Sequence, residues 1–157
     1  MMPGDSMNNS NRHSTAKGPM LEKSQAFAVC VIKLTQELTT ERHEYVLSRQ
    51  VLRSATSIGA NLREARGAQS QADFLSKQSV ALKEAYETEY WIELLAETGY
   101  LSSDREELLM ADISELISML TSSVKKLKTT MDINNPLYVC DTNDENYIDS
   151  FTPPQDF

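Results

Sequence analysis

From Leu47 to Arg66 the chain reads LSRQVLRSATSIGANLREAR, and its apolar residues recur at steps of three and four. Leu47, Val51, Ala55, Ile58, Leu62 and Ala65 therefore share one stripe at about 3.6 residues per turn, the signature of an amphipathic helix. Arg49, Arg53 and Arg63 project from the opposite side, and Arg66 lies near the edge of the stripe. Ser54, Ser57 and Asn61 form an uncharged polar seam along the apolar border. Such a helix offers a core face, a cationic face and a hydrogen-bonding edge. The basic side is either a solvated surface, the commoner use of charged helix faces, or a binding surface.

The same periodicity defines three more helices. The first spans residues 20–39, with Phe27, Val31, Leu34 and Leu38 as its stripe. Ala26, Ala28, Val29, Cys30 and Ile32 make it apolar almost all round, so it is buried either at a subunit interface or under a broad core face. A short link follows, in which Thr39 or Thr40 N-caps the second helix (42–66), with Glu41 and Glu44 suited to its positive end. Gly59 inside that helix costs about 1 kcal/mol relative to alanine, a cost usually met where another backbone approaches closely. Gly67 supplies a left-handed C-cap, and Ser70 with Asp73 forms a capping box for the third helix (71–98). Phe74, Ala81, Ala85, Thr88, Ile92 and Leu95 are its stripe, with Gln78 and Glu89 close to it. Gly99 ends this helix and Tyr100-Leu101 folds back on it. Ser102-Ser103-Asp104 caps the fourth helix, which runs to about residue 129 with Leu109, Ile113, Leu116, Leu120, Val124 and Leu127 inward. Lys125, Lys126 and Lys128 stand at its C-terminal end, where the dipole favours cations. Four helices with short links give an all-α, antiparallel up-down-up-down four-helix bundle over residues 20–130. Residues 1–19 read as a disordered N-terminal segment and 131–157 as an acidic flexible tail.

Charge changes this picture in one place. The net charge of −8 is uneven: residues 131–157 hold six acidic groups and no Lys or Arg, whereas residues 42–67 hold five arginines against Glu44 and Glu64. The total argues against a nucleic-acid partner, and the local surplus weakens that objection. The longest apolar run, Ala26 to Ile32, is far too short for a membrane span, and the N-terminus has no apolar signal core. The expected location is cytoplasmic, with no membrane partner. Cys30 and Cys140 make neither a disulfide framework nor a metal pattern.

Candidate chemistry is sparse. There is no GxxxxGK[ST] or GxGxxG phosphate loop. His13 and His43 are far apart, which disfavours a metal site or a triad, and neither has an arginine four to six residues before it, as one class of helical ribonuclease requires. Glu84/Glu87, Glu89/Glu93 and Glu93/Glu97 are carboxylate pairs, but a di-metal bundle needs Glu-x-x-His on facing helices. They read as solvated faces, and neither metal nor cofactor is expected. Glu89 is different, because a carboxylate at the stripe must be paired, hydrogen-bonded or neutral. Ser54, Ser57, Asn61 and Arg53 are its natural partners, which makes a structural polar network the first reading and a ligand site the second. Tyr86, Tyr90 and Trp91 lie largely off the stripe and suit either base stacking or packing between subunits.

The stretch SRQVLRSATSIGANLREARGAQSQADFLSKQSVALKEAYETEYWIELLAETGYL resembles the four-helix-bundle proteins encoded in intervening sequences of bacterial 23S ribosomal RNA genes. It is also similar to their relatives, the accessory variability determinants of diversity-generating retroelements. The family pattern is roughly Q-x-x-R-[AS]-A-x-S-I-x-x-N-[IL]-x-E-[AG], then a segment ending A-L-x-S-x-x-E-x-E. Gln50, Arg53, Ala55, Ser57, Ile58, Asn61, Leu62 and Glu64 match the first part. Ala81, Leu82, Glu87 and Glu89 match the second, with Lys83-Glu84 in place of the usual Gly-Ser. The resemblance spans residues 25–128. It implies an antiparallel four-helix bundle that assembles as a ring-like homopentamer, with no known catalytic activity. In the retroelement branch it implies binding to nucleic acid and to a reverse transcriptase through a basic surface. The expectation is thus a non-enzymatic oligomer that binds structured RNA or an RNA–DNA hybrid through Arg49, Arg53, Arg63 and Arg66. The alternative is a structural or protein-interaction module with no such affinity.

Overall fold

The computed structural model describes residues 18–133. They form four helices, α1 (Pro19–Glu41), α2 (Leu47–Ala65), α3 (Gln71–Glu97) and α4 (Ser103–Ile133). Each packs on its sequence neighbours, and α1 closes on α4, which makes an all-α four-helix bundle. The residues expected in the N-terminal segment before Gly18 and in the acidic tail after Ile133 lie outside the described residues.

The stripes read from the sequence form the core, except that Leu47, Phe74 and Leu127 are only half-buried. Phe27, Val31, Leu34 and Leu38 of α1 meet Val51, Ala55, Ile58 and Leu62 of α2 in one apolar cluster. Ala81, Ala85, Ile92 and Leu95 of α3 and Leu109, Ile113, Leu116 and Leu120 of α4 complete it. α2 and α3 pack most extensively and α1 and α4 least, because the small Ala55, Ala81 and Ala85, all fully buried, let the first pair approach. The outward residues of α1 stay in solvent within a single chain: Val29 is 45% exposed and Ile32 38%.

The links depart from expectation at the first turn. α1 continues to Glu41 and α2 starts only at Leu47. Thr39 and Thr40 do not cap α2. Their hydroxyls donate to α1 carbonyls, Thr39 to Thr35 and Gln36 and Thr40 to Gln36. The chain reverses at His43, whose φ of 53° is left-handed. The cap is Glu44. Its buried carboxylate accepts N–H bonds from Val46 and Leu47 at 2.9 and 2.8 Å and from Ser48 at 2.6 Å. Burial opposes ionisation here, but the N–H donors of Ser48, Leu47 and Val46 outweigh it and hold the carboxyl below the usual glutamate range.

The second link corrects another expectation. Gly67 is not left-handed; among the described glycines only Gly99 has positive φ, at 75°. The α2 end instead tightens, with Gly67 N–H on the Glu64 carbonyl and Ala68 N–H on that of Ala65. At the start of α3, Asp73 N–H donates to Ser70 Oγ at 3.1 Å. Asp73 Oδ2 in turn accepts from Gln69 N–H at 3.2 Å, one residue earlier than in the usual box. Gly99 turns the chain out of α3, and the N–H groups of Tyr100 and Leu101 both fold back onto the Leu95 carbonyl. α4 runs past the expected end to Ile133, so Lys125, Lys126 and Lys128 precede its last turn.

Candidate nucleic-acid interface

The outward face of α2 carries Arg49, Arg53 and Arg63 at spacings of four and ten residues, with Arg66 just past the helix end. All four are exposed, but they are not equivalent. Arg53 is spent on α3. Its Nη2 donates to Glu87 Oε1, and its Nη1 lies 3.6 Å from Glu84 Oε2. That second contact is ionic only, since Glu84 Oε2 is buried and takes no hydrogen bond. Glu87 also accepts from Trp91 Nε1 at 3.1 Å. The Trp91 bond and the Arg53 charge together hold the Glu87 carboxyl low, against a burial that would raise it. The carboxylate pair read as solvated is therefore the clamp on Arg53.

Arg49, Arg63 and Arg66 have no ion pair among the described residues. Arg49 flanks a groove of about 310 Å³ between α1 and α2, with Gln36, Thr39, Tyr45 and Leu52. Arg63 flanks a second groove between the same two helices, about 270 Å³, with Gln25, Ala28, Thr56 and Ala60. Gly59 lines this second groove. A Cβ there would sit 3.4 Å from Ser24 Oγ, so the neighbour it faces is a side chain, not the backbone expected, and the contact is ordinary. Glu64, the acidic residue beside Arg63, is turned to Lys77 of α3 at 2.5 Å.

The polar seam is smaller than the sequence suggests. Ser54 is fully buried and accepts from Thr88 Oγ1 at 2.9 Å across the α2–α3 seam. Asn61 Nδ2 donates to the Ser57 carbonyl at 2.9 Å, within its own helix. Glu89 does not join. It is half-buried and has neither a hydrogen bond nor an ion pair among the described residues. The anticipated Arg53–Glu89 pairing is replaced by Arg53–Glu87, since Glu87 and Glu84 border α2 whereas Glu89 lies past the Ala85–Thr88 contact line. Thr88 and Glu87 are the members that sequence reasoning missed. Thr88 had a signal, a hydroxyl inside an apolar stripe, which demands a partner.

On α3, Tyr86 and Tyr90 are about half exposed. Tyr90 leans on Trp91, ring centres 5.0 Å apart and planes tilted by 57°. His43 stands in the first link with Nδ1 3.3 Å from the Tyr45 hydroxyl. Among the described residues no three His, Cys, Asp or Glu side chains are placed to hold a metal ion. No described helix is long and apolar enough to cross a membrane.

Comparison with known proteins adds a family. No curated protein matches the chain. Its fold is shared by a crystal structure of a protein of unknown function from the S23 ribosomal protein family of Bacteroides thetaiotaomicron. The two are 49% identical, with a TM-score of 0.67, over 68% of this chain and 98% of that one. The model of the 23S rRNA-intervening sequence proteins matches residues 18–122, the bundle from the start of α1 through most of α4. With the motifs of α2 and α3 lying inside that span, the chain belongs to the 23S rRNA-intervening sequence protein family.

Proposed function

We propose that this protein is a non-enzymatic, cytoplasmic oligomer that binds structured RNA or an RNA–DNA hybrid through the α2 face, acting as an accessory to a reverse transcriptase. The observation that carries the reading is the set of three exposed arginines without ion pairs among the described residues, Arg49 and Arg63 on α2 and Arg66 just past its end, in a chain with net charge −8. Arginine suits phosphate because its planar fork donates paired hydrogen bonds. Arg53 leaves the contact set, because its guanidinium is taken by Glu84 and Glu87.

Three arginines on one chain neutralise few phosphates. A ring of five copies would repeat the face and gain avidity without new contacts. The exposed Val29 and Ile32 of α1 are the apolar surface such an assembly would cover. The same apolar strip, with Tyr86, Tyr90 and Leu108 in solvent, favours the second reading, a protein-interaction module.

Fluorescence anisotropy with a labelled RNA hairpin tests the proposal. Binding is expected to fall steeply with salt, since each neutralised phosphate releases counterions. Arg49→Glu with Arg63→Glu is expected to abolish it while helicity and mass stay unchanged. If that double variant binds as the parent does, or the parent shows no salt-sensitive binding, the interaction-module reading replaces this one. Light scattering checks the assembly, and a monomer mass at micromolar concentration would remove the ring. Stoichiometric metal in the purified protein would overturn the non-enzymatic part.

A further inference from the structure

At the end of the bundle where α1 begins, all four helices contribute to a cleft of about 430 Å³. Its size falls in the range of small-molecule sites, about 300–1,000 Å³. The walls are apolar: Met20 and Leu21 of α1, Leu62 of α2, Phe74 of α3 and Met119 of α4. Polar groups converge on it from two sides. Arg66, exposed and without an ion pair among the described residues, stands at its rim. The N-terminus of α1 opens on it at Gly18 and Pro19, with no side chain among the described residues capping that end. Gln78 lines it too, and this residue is the anomaly. It is only 6% exposed, and its Oε1 is buried without a hydrogen-bond donor among the described residues. A buried amide oxygen without a donor is costly, and native structures seldom keep one without a reason.

We propose that this cleft binds a small apolar carboxylate whose body carries a hydrogen-bond donor. The apolar walls take the body. The guanidinium of Arg66 and the positive end of the α1 dipole take the carboxylate. The donor on the body satisfies Gln78 Oε1. Each feature of the ligand thus answers one feature of the cleft, and none of them rests on the nucleic-acid reading. Arg66 is the one residue the two share, while Arg49 and Arg63 line no part of this cleft.

Three related probes separate the contributions in the full chain. 3-(4-Hydroxyphenyl)propanoate carries donor and charge, 3-phenylpropanoate lacks the donor, and 3-(4-hydroxyphenyl)propanamide lacks the charge. Binding is read from the methyl resonances of the methionines and by calorimetry. The hydroxylated acid is expected to shift Met20 and Met119 saturably and to leave Met110, outside the cleft, in place. Loss of either group is expected to weaken binding about tenfold, the scale of one buried or charge-assisted hydrogen bond. Gln78→Leu is expected to keep the fold and erase the preference for the hydroxyl. Arg66→Gln is expected to erase the preference for acid over amide. Met119→Trp narrows the cleft and is expected to abolish binding, with circular dichroism checking that the helices persist. The proposal is overturned if none of the probes shifts Met20 or Met119. It is equally overturned if Gln78→Leu and Arg66→Gln bind all three as the parent does.

Discussion

The α2–α3 seam and the α1–α4 seam are closed by opposite means. Between α2 and α3 the core positions are small, Ala55, Ala81 and Ala85, and one buried bond, Thr88 to Ser54, crosses the gap. Its outer edge is tied by Arg53 to Glu84 and Glu87 and by Lys77 to Glu64. Between α1 and α4 the core side chains are large, and the cross-links are ion pairs near each end. Lys23 reaches Asp112 and Glu115 at 3.1 and 2.7 Å, and Arg105 reaches Glu37 at 2.6 Å. Those charges are partly in solvent, where an ion pair contributes little. The first seam is thus specified by shape and a buried bond, the second by apolar bulk. The difference also sorts the arginines. Arg53 faces the crowded seam and is consumed by it, whereas Arg49 and Arg63 flank the grooves against α1 and have no ion pair among the described residues.

The largest test of this contrast is volume. Removing bulk should hurt the large-residue core and adding it should hurt the small-residue seam. Leu116→Ala, at a fully buried α4 position, is expected to cost about 2–5 kcal/mol. Ala85→Leu, in α3, is expected to cost about 1–3 kcal/mol by overpacking. Urea unfolding followed by circular dichroism at one fixed protein concentration measures both. If Ala85→Leu were neutral, the close approach of α2 and α3 would not depend on small side chains.

Next comes the turn that joins α1 to α2. Glu44→Ala strips three N–H groups of their acceptor and is expected to cost about 1–2 kcal/mol at neutral pH. The sign of the pH effect follows from the depressed pKa. The contribution is fully present above the ordinary glutamate value, about 4.3, and is lost as pH falls through the lower folded value. Parent and variant stabilities should therefore converge as the solution is acidified below that range. A constant gap between them down to strongly acid pH would show that the carboxylate does not act through its charge.

What the sequence revealed divides along the same line. Stripes set by periodicity were legible because burial of an apolar face depends on the helix alone, and Val51 to Ala65 or Leu109 to Val124 could be read directly. Caps were half legible. Ser70 and Asp73 are three residues apart, so the Asp73 N–H finds the Ser70 hydroxyl whatever the rest of the fold does, while the Asp73 carboxylate goes to Gln69 N–H. Thr39 and Thr40, by contrast, had a rival use on α1 carbonyls, and Glu44 reaches forward over several residues to replace them. Contacts across 34 residues, Arg53 to Glu87 and Thr88 to Ser54, were not legible, since they depend on the relative height of two helices. A one-turn offset exchanges Glu87 for another carboxylate of α3.

The buried bond of the α2–α3 seam has a smaller stake. Thr88→Val keeps the shape and deletes the hydroxyl that donates to Ser54 at 2.9 Å. Ser54 keeps its own bond to the Gln50 carbonyl at 3.1 Å, so no donor is orphaned. The expected cost is about 1 kcal/mol in urea unfolding, the net value of one internal hydrogen bond. A loss approaching that of Leu116→Ala would mean that the bond anchors a wider network than Ser54, Thr88 and the Glu84 carbonyl.

The smallest effect is expected at Arg53, and it is the one that separates the two kinds of arginine. Arg53→Gln leaves Glu84 and Glu87 without their cation, yet the Arg53 side chain is itself half exposed and a glutamine amide can still donate to Glu87, so the thermal midpoint should move little. Its consequence for RNA is distinct. If Arg53 never touches phosphate, its loss leaves the salt slope of binding unchanged, and affinity falls only modestly through the two uncovered carboxylates. Arg49→Gln and Arg63→Gln, each removing a free cation, should lower the slope by about one per protomer engaged. Titrations of the three single variants over a range of salt read this directly. A slope that drops equally for all three would mean that Arg53 leaves Glu87 for phosphate on binding. The seam contacts would then be a resting arrangement, not a permanent one.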